Sequence, residues 1–77
     1  MIKAYILVVA NPGATQRVYE ALQKVKGVTQ CSQVMGPYDI VVEIEVEDLS
    51  DVPPILGGNI RTIEGVESTT SLVTFPG

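Results

Sequence analysis

Residues 40–47 read Ile-Val-Val-Glu-Ile-Glu-Val-Glu, and this stretch decides the fold. Apolar side chains occupy every second position: Ile40, Val42, Ile44 and Val46. The positions between them hold Val41, Glu43, Glu45 and Glu47. Because successive side chains of a β-strand point to opposite faces, this alternation predicts a strand with one face in the core and one face outside it.

The segments on either side of this strand alternate between strand and helix patterns. Residues 2–9 are apolar on both strand faces, which predicts a strand that is covered on both sides. Residues 18, 21, 22 and 25 are apolar at helical spacing, and Gly27 is predicted to end that helix. Strands are also predicted over 28–35 and 66–75. Before the last strand we expect a short or broken helix from near Pro53, because two prolines and two glycines interrupt its helical spacing.

The predicted order is strand, helix, strand, strand, helix, strand, which is the α+β, ferredoxin-like βαββαβ arrangement. Right-handed crossovers then place both helices on one face of a four-stranded antiparallel sheet, with the first and third strands in the centre. The other face would expose an apolar patch at Tyr5, Leu7, Val9 and Val41. Because a small monomer rarely exposes such a patch, we expect the chain to dimerise through this face of the sheet.

The length and composition limit the classes of protein that remain. Seventy-seven residues are enough for a single domain, expected over 1–77, whose marginal stability favours association of subunits. Five basic and nine acidic residues give a net charge of −4, which disfavours direct binding to nucleic acid or to an anionic membrane. There is one cysteine, Cys31, and no histidine, so an intrachain disulfide and histidine-based catalysis are excluded. No membrane helix or export signal is visible, and a cytoplasmic location is expected.

The most suggestive local motif is the predicted turn Gly36-Pro37-Tyr38-Asp39 between two strands. The requirements of a tight turn alone explain these residues if Gly36 supplies unusual dihedral angles and the Asp39 side chain forms hydrogen bonds to nearby backbone. Alternatively, Asp39 accepts a hydrogen bond from an ammonium group while the turn amides bind a carboxylate. The hydroxyls of Thr69 and Ser71 share one face of the last strand. Either these residues are present because they favour β-structure, or their hydroxyls form hydrogen bonds to a ligand.

Three other features are better explained by structure than by chemistry. Cys31 has no histidine partner, which favours a packed thiol over a nucleophile. The series Glu43, Glu45 and Glu47 lacks a second group of ligands, so a solvated or paired face is favoured over a cation site. Residues 57–59, Gly-Gly-Asn, match no phosphate-binding motif. We therefore expect no metal and no cofactor.

Three stretches in order resemble one family: residues 4–8 (Ala-Tyr-Ile-Leu-Val), 34–40 (Val-Met-Gly-Pro-Tyr-Asp-Ile) and 63–71, which includes Gly65-Val66 and Thr69-Thr70-Ser71. The chain resembles the effector-binding domain of the Lrp/AsnC (feast/famine) transcriptional regulators, without their helix-turn-helix domain. The resemblance implies dimers with facing sheets, and rings of dimers that bind small effectors, usually amino acids, between them. It assigns ligand binding to Gly36, Tyr38, Asp39, Thr69 and Ser71. The interrupted second helix departs from the family pattern.

The sequence thus predicts a stand-alone amino-acid-sensing domain that is not an enzyme and does not itself bind DNA. Its expected partners are an amino acid, further copies of the chain in a dimer or ring, and full-length Lrp/AsnC regulators. Two alternatives stay open at this point. One is a small cofactor-independent enzyme of the dimeric α+β barrel type, and the other is a purely structural assembly unit.

Overall fold

The computed structural model describes residues 1–75, which form four strands and two helical segments. The strands are β1 (Ile2–Ala10), β2 (Val28–Gln33), β3 (Ile40–Val46) and β4 (Val66–Val73). They form one antiparallel sheet in the order β2-β3-β1-β4. The predicted ferredoxin-like arrangement, with the first and third strands in the centre, is confirmed.

The register of β1 against β3 brings the apolar positions of the two central strands onto one face. Ala4 pairs with Ile44, Ile6 with Val42 and Val8 with Ile40, and all six side chains are fully buried. The helix α1 (Thr15–Leu22) covers this face with Val18 and Leu22, which are also fully buried. The alternation in residues 40–47 therefore identified the core face correctly.

Three predicted elements are shorter in the structure. Helix α1 ends at Leu22, because the amides of Lys24 and Val25 bond three residues back in tighter turns, and Gly27 lies in the connection to β2. Strand β2 ends at Gln33, whose pairing with Ile40 is the last of the β2–β3 ladder. Strand β4 ends at Val73, although the amide of Thr74 still donates to the Lys3 carbonyl at 3.0 Å.

The second helical segment is broken, as the prolines and glycines predicted, but it begins earlier than Pro53. Asp48 caps a 3₁₀ turn (Leu49–Asp51), which continues into a short α-helical turn, α2 (Val52–Pro54), and then into a π-helix (Ile55–Ile60). The amide of Arg61 donates to the Leu56 carbonyl, five residues back, at 2.9 Å. Fully buried Ile60 joins this segment to the core. Neither helical segment within residues 1–75 has the length and apolar character needed to span a bilayer.

The second face of the sheet carries no helix. Tyr5, Leu7 and Val9 of β1 lie on it, opposite Glu43 and Val41 of β3 where these strands pair. All of these side chains are half-buried. On the β4 side the same face includes Thr70 and Leu72, and Leu72 is 52% exposed. We call this surface, made by residues 5, 7, 9, 41, 43, 70 and 72, the open sheet face.

Candidate functional site

The motif at residues 36–39 lies in the connection between β2 and β3, at the end of the sheet where β1 finishes. The Val34 amide donates to the Asp39 carbonyl at 2.9 Å, and this bond closes the connection. Gly36 is exposed and has φ of +147°, a backbone conformation that side-chain-bearing residues rarely adopt. Glycine is therefore required by the shape of this turn, as the sequence predicted.

The same turn contains amides that are free to bind a ligand. Among residues 1–75, none accepts a hydrogen bond from the backbone amide of Met35, Gly36 or Tyr38. Met35 and Gly36 are exposed and Tyr38 is half-buried. Successive unpaired amides in a turn are the backbone feature that binds carboxylates and other anions. The turn therefore presents backbone donors of the kind that anionic groups accept from.

Asp39 forms three hydrogen bonds to backbone within the chain. Its amide donates to the Val8 carbonyl at 2.9 Å, and its own carbonyl accepts from Val34. Its carboxylate oxygen Oδ2 accepts from the Ala10 amide at 2.8 Å. The motif predicted a bond to nearby backbone, but the partner of the carboxylate lies on β1, 29 residues away. Nothing in the sequence marks Ala10 as the partner of Asp39, because every residue except proline has a main-chain amide.

Thr69 and Ser71 share one face of β4, as predicted, and the register shows which face it is. Thr69 pairs with Val8 and Ser71 with Ile6, so both hydroxyl residues lie on the side of the sheet that the helices cover. Thr69 is half-buried, whereas Ser71, on the edge strand, is exposed. Both hydroxyls therefore stand at the rim of the core and not on the open sheet face.

The two halves of the predicted site are not joined within one chain. Strand β1 lies between β3, which follows the turn, and β4, which carries the hydroxyls. Because neighbouring strands are about 4.8 Å apart, the start of β3 and Thr69 are separated by roughly 10 Å. The structure brings Gly36, Tyr38 and Asp39 together and leaves Thr69 and Ser71 on the far side of β1, opposite the buried side chains of Val8 and Ile6.

Three cavities of the chain lie away from the predicted residues. The largest, about 570 Å³, is open and lies at the far end of β3. Its lining consists of Lys26, Gly27, Glu45, Val46, Glu47, Asp51, Pro54, Ile55 and Asn59. An apolar cavity of about 380 Å³ is lined by Ile2, Leu49, Val73, Thr74 and Phe75, and one of about 210 Å³ adjoins β2. None of the three is lined by Gly36, Tyr38, Asp39, Thr69 or Ser71.

Cys31 is half-buried on β2, where it pairs with Val42. Burial raises the pKa of its thiol, because removal from water disfavours the charged thiolate. A raised thiol pKa is the opposite of what a nucleophilic cysteine requires. The environment of Cys31 is therefore that of a packed side chain.

Glu43 of β3 has two partners in the chain. Glu43 lies 3.9 Å from the Lys3 ammonium through Oε1, and its Oε2 accepts from the Thr29 hydroxyl at 3.1 Å. No group of three or more potential metal-ligating side chains of His, Cys, Asp or Glu is found within residues 1–75. The contacts of Glu43 therefore fit the prediction that Glu43, Glu45 and Glu47 form a solvated or paired face and not a cation site.

An antiparallel sheet with the order β2-β3-β1-β4 and two helical segments on one face defines an α+β domain of the ferredoxin-like class. The model of the Lrp/AsnC ligand-binding domain matches residues 3–75, and the chain belongs to this family. The resemblance seen in the sequence is thereby confirmed.

The curated relatives are of two kinds. An uncharacterised HTH-type transcriptional regulator of Pyrococcus abyssi is 32% identical in an alignment 75 residues long that covers 94% of this chain and 50% of the regulator. The chain thus spans about half the length of the regulators it matches. A homocitrate synthase of Sulfurisphaera tokodaii is 40% identical over 60 residues, which are 77% of this chain and only 13% of the synthase.

Solved structures agree with the fold along the whole chain. A protein from Thermus thermophilus superposes with a TM-score of 0.95 and 30% identity, covering 100% of this chain and 96% of that protein. AsnC of E. coli superposes with a TM-score of 0.90 at 18% identity, covering 99% of this chain and 52% of AsnC. At that lower identity, the second comparison bears on the fold alone.

Proposed function

We propose that this chain is an amino-acid-binding regulatory domain that acts in the cytoplasm through ligand binding and assembly. Residues 1–77 form one ligand-binding domain in this proposal. Its family membership and its relation to transcriptional regulators support a regulatory role. A transcriptional regulator of Neisseria meningitidis that has the same fold, at 17% identity, was crystallised in complex with L-Met.

The unpaired amides of the turn carry the proposal. An α-amino acid offers a carboxylate, and the amides of Met35, Gly36 and Tyr38 are suitable donors because no residue within 1–75 accepts from them. The ligand site in this proposal comprises Gly36, Tyr38, Asp39, Thr69 and Ser71. Backbone donors recognise a carboxylate whatever the side chain, so the rest of the pocket selects among amino acids.

The site is proposed to lie between subunits. The turn and the two hydroxyls are separated by β1 within one chain, so a ligand that contacts both needs them from different copies. The half-buried apolar side chains of the open sheet face favour a dimer through that face, and dimers would then associate further. Full-length regulators that contain the same domain are further proposed partners.

Catalysis is not part of the proposal. A small enzyme of the dimeric α+β barrel type needs acid or base groups between its helices and its sheet. In residues 1–75 no polar or charged side chain is buried, and the buried side chains of the helix-covered face are all apolar. The match to a segment that makes up 13% of a homocitrate synthase also supports a module attached to different proteins rather than a complete catalytic unit.

A thermal-shift screen with the twenty amino acids tests the proposal. A ligand at about 100 times its Kd adds roughly 2.7 kcal/mol to the free energy of unfolding, which is a clear shift for a domain of this size. Isothermal titration calorimetry then gives the affinity for each amino acid that shifts the midpoint. If no amino acid binds at millimolar concentration, the proposal is wrong and the structural assembly unit takes its place.

Two glycine variants link binding to the turn. Gly36→Ala should weaken or abolish binding, because alanine does not tolerate φ of +147° and the amides of the turn must then move. Gly13→Ala is the matched control, since Gly13 has no positive φ and a Cβ there meets no atom within 4 Å. Equal affinities of the two variants would mean that the ligand binds away from the turn.

A further inference from the structure

We infer that Asp39 acts in the proposed site as a positioning residue, which fixes the ligand-binding turn to β1, and not as the acceptor for the ligand's ammonium group. This inference rests on the proposed function for its ligand, but the contacts that carry it are present in the chain without one. It departs from the role that the motif suggested for Asp39.

Asp39 connects the turn to β1 through three bonds. Its carbonyl accepts from the Val34 amide, which closes the turn, and its amide donates to the Val8 carbonyl. Its carboxylate accepts from Ala10, two residues further along β1, at 2.8 Å in a partly buried position. Hydrogen bonds to an ionised acceptor are roughly twice as strong as neutral ones. The carboxylate therefore restrains the turn more firmly than the two backbone bonds alone.

The Ala10 amide stands at an irregularity of the sheet. Val9 pairs with Ser68 but Ala10 pairs with Val66, so Glu67 is an extra residue on β4 at this point. Asp39 accepts from the Ala10 amide at this bulge. This bond lies just beyond Val8 and Ile40, the last pair between β1 and β3. The next amide, Asn11, donates to the Gly65 carbonyl just before β4 at 2.8 Å. The end of β1 is thus bonded to the turn on one side and to the start of β4 on the other.

This arrangement gives Asp39 control over the position of the turn amides relative to β1. Val8 bonds to Asp39 and pairs with Thr69, so the strand held by Asp39 is the one that sets the position of the β4 hydroxyls. Ligand contacts with the turn amides then depend on the carboxylate that fixes the turn to Ala10. Oδ2 of Asp39 already accepts from the Ala10 amide in the chain without a ligand.

Asp39→Asn and Asp39→Ala separate positioning from charge. The asparagine side chain keeps an oxygen that accepts from Ala10 but removes the negative charge, whereas alanine removes both. We expect Asp39→Ala to bind the amino acid roughly 10-fold or more weakly and Asp39→Asn to recover most of that loss. Calorimetry measures the affinities, and circular dichroism checks that each variant folds.

Hydrogen exchange of the Ala10 and Val34 amides, measured by NMR, is the second readout and needs no ligand. Both amides should exchange at least roughly 10-fold faster in Asp39→Ala, and Asp39→Asn should give a rate between those of Asp39→Ala and the wild type. If Asp39→Asn binds as weakly as Asp39→Ala while the Ala10 amide stays protected, the charge holds the ligand and the inference is wrong. Unchanged exchange in a folded Asp39→Ala protein also overturns it. If the wild type binds no amino acid, the proposed function fails, and the exchange rates alone then decide whether Asp39 fixes the turn.

Discussion

Gly65 packs so closely against Val18 of α1 and against Ala14, the residue before α1, that no side chain fits there. Its φ is +104°, and a Cβ added to it would lie 2.8 Å from the Ala14 Cβ and 3.0 Å from the Val18 Cγ2. We predict that Gly65→Ala lowers the free energy of unfolding by about 2–5 kcal/mol, because backbone strain and overpacking add. Urea denaturation measures this loss if the variant folds. Failure of the variant to fold is the extreme form of the same result.

Gly58 provides the matched control for this substitution. It is exposed in the π-helix, has no positive φ, and a Cβ there meets nothing within 4 Å. Gly58→Ala should therefore change the free energy of unfolding by no more than about 1 kcal/mol. If both variants were equally stable, the close approach of Gly65 to α1 would not limit the fold.

At the scale of elements, the broken second helix depends on its first turn. The Asp48 carboxylate accepts from the Ser50 amide at 3.0 Å, and the Asp48 amide donates to the Asp51 carboxylate at 3.2 Å. The Ser50 amide and hydroxyl hold the pKa of the Asp48 carboxyl below its ordinary value of 3.8. The ionised form is therefore the one that the folded state stabilises.

We predict that Asp48→Ala lowers the urea midpoint at about pH 7 and has a smaller effect at about pH 2.5. A carboxyl with a lowered folded-state pKa contributes stability above its unfolded pKa, and this contribution disappears as the pH falls through the folded value. Asp48→Asn, which cannot titrate but keeps the acceptor, is the control. A difference between wild type and Asp48→Ala that stays constant with pH would contradict the role of the charged form.

At the scale of the whole molecule, the open sheet face should bind a second copy. Leu7 and Val41 pair at its centre, and both are half-buried before any partner is added. Leu7→Glu or Val41→Lys should raise the dimer Kd more than roughly 100-fold, because burying an unpaired charge costs several kcal/mol. Sedimentation equilibrium of wild type and variants measures the effect.

Gln23→Glu adds the same charge as Leu7→Glu at an exposed position just after α1, on the other side of the sheet. It should leave the dimer unchanged. A wild-type chain that sediments as a monomer at micromolar concentration would show that the open sheet face is not an interface.

The acidic charge of the chain gives a separate prediction for nucleic acid. With a net charge of −4, the isolated chain lacks the excess of phosphate-neutralising side chains on which sequence-independent DNA binding depends. We expect no shift of duplex DNA in a gel at moderate salt. Submicromolar binding by the purified chain would contradict regulation through assembly and ligand binding.

The periodic parts of the sequence were interpreted correctly and the ends of elements were not. Alternation in residues 40–47 predicted β3 and its core face, because a period of two follows directly from strand geometry. Helix α1 and strands β2 and β4 were predicted too long, since apolar residues beyond an element look the same as those within it. Where pairing stops depends on the partner strand, and the sequence of one strand does not contain that information.

For the candidate site, the sequence by itself determined the turn at residues 36–39 and the shared face of Thr69 and Ser71, because both follow from local backbone preferences and strand period. Only the tertiary structure decided that β1 separates these two groups and that the Asp39 carboxylate accepts from the Ala10 amide. The physical reason is that a backbone amide is chemically the same at almost every position. Which amide meets a carboxylate is therefore set by the strand order and register, which arise when distant segments pack together.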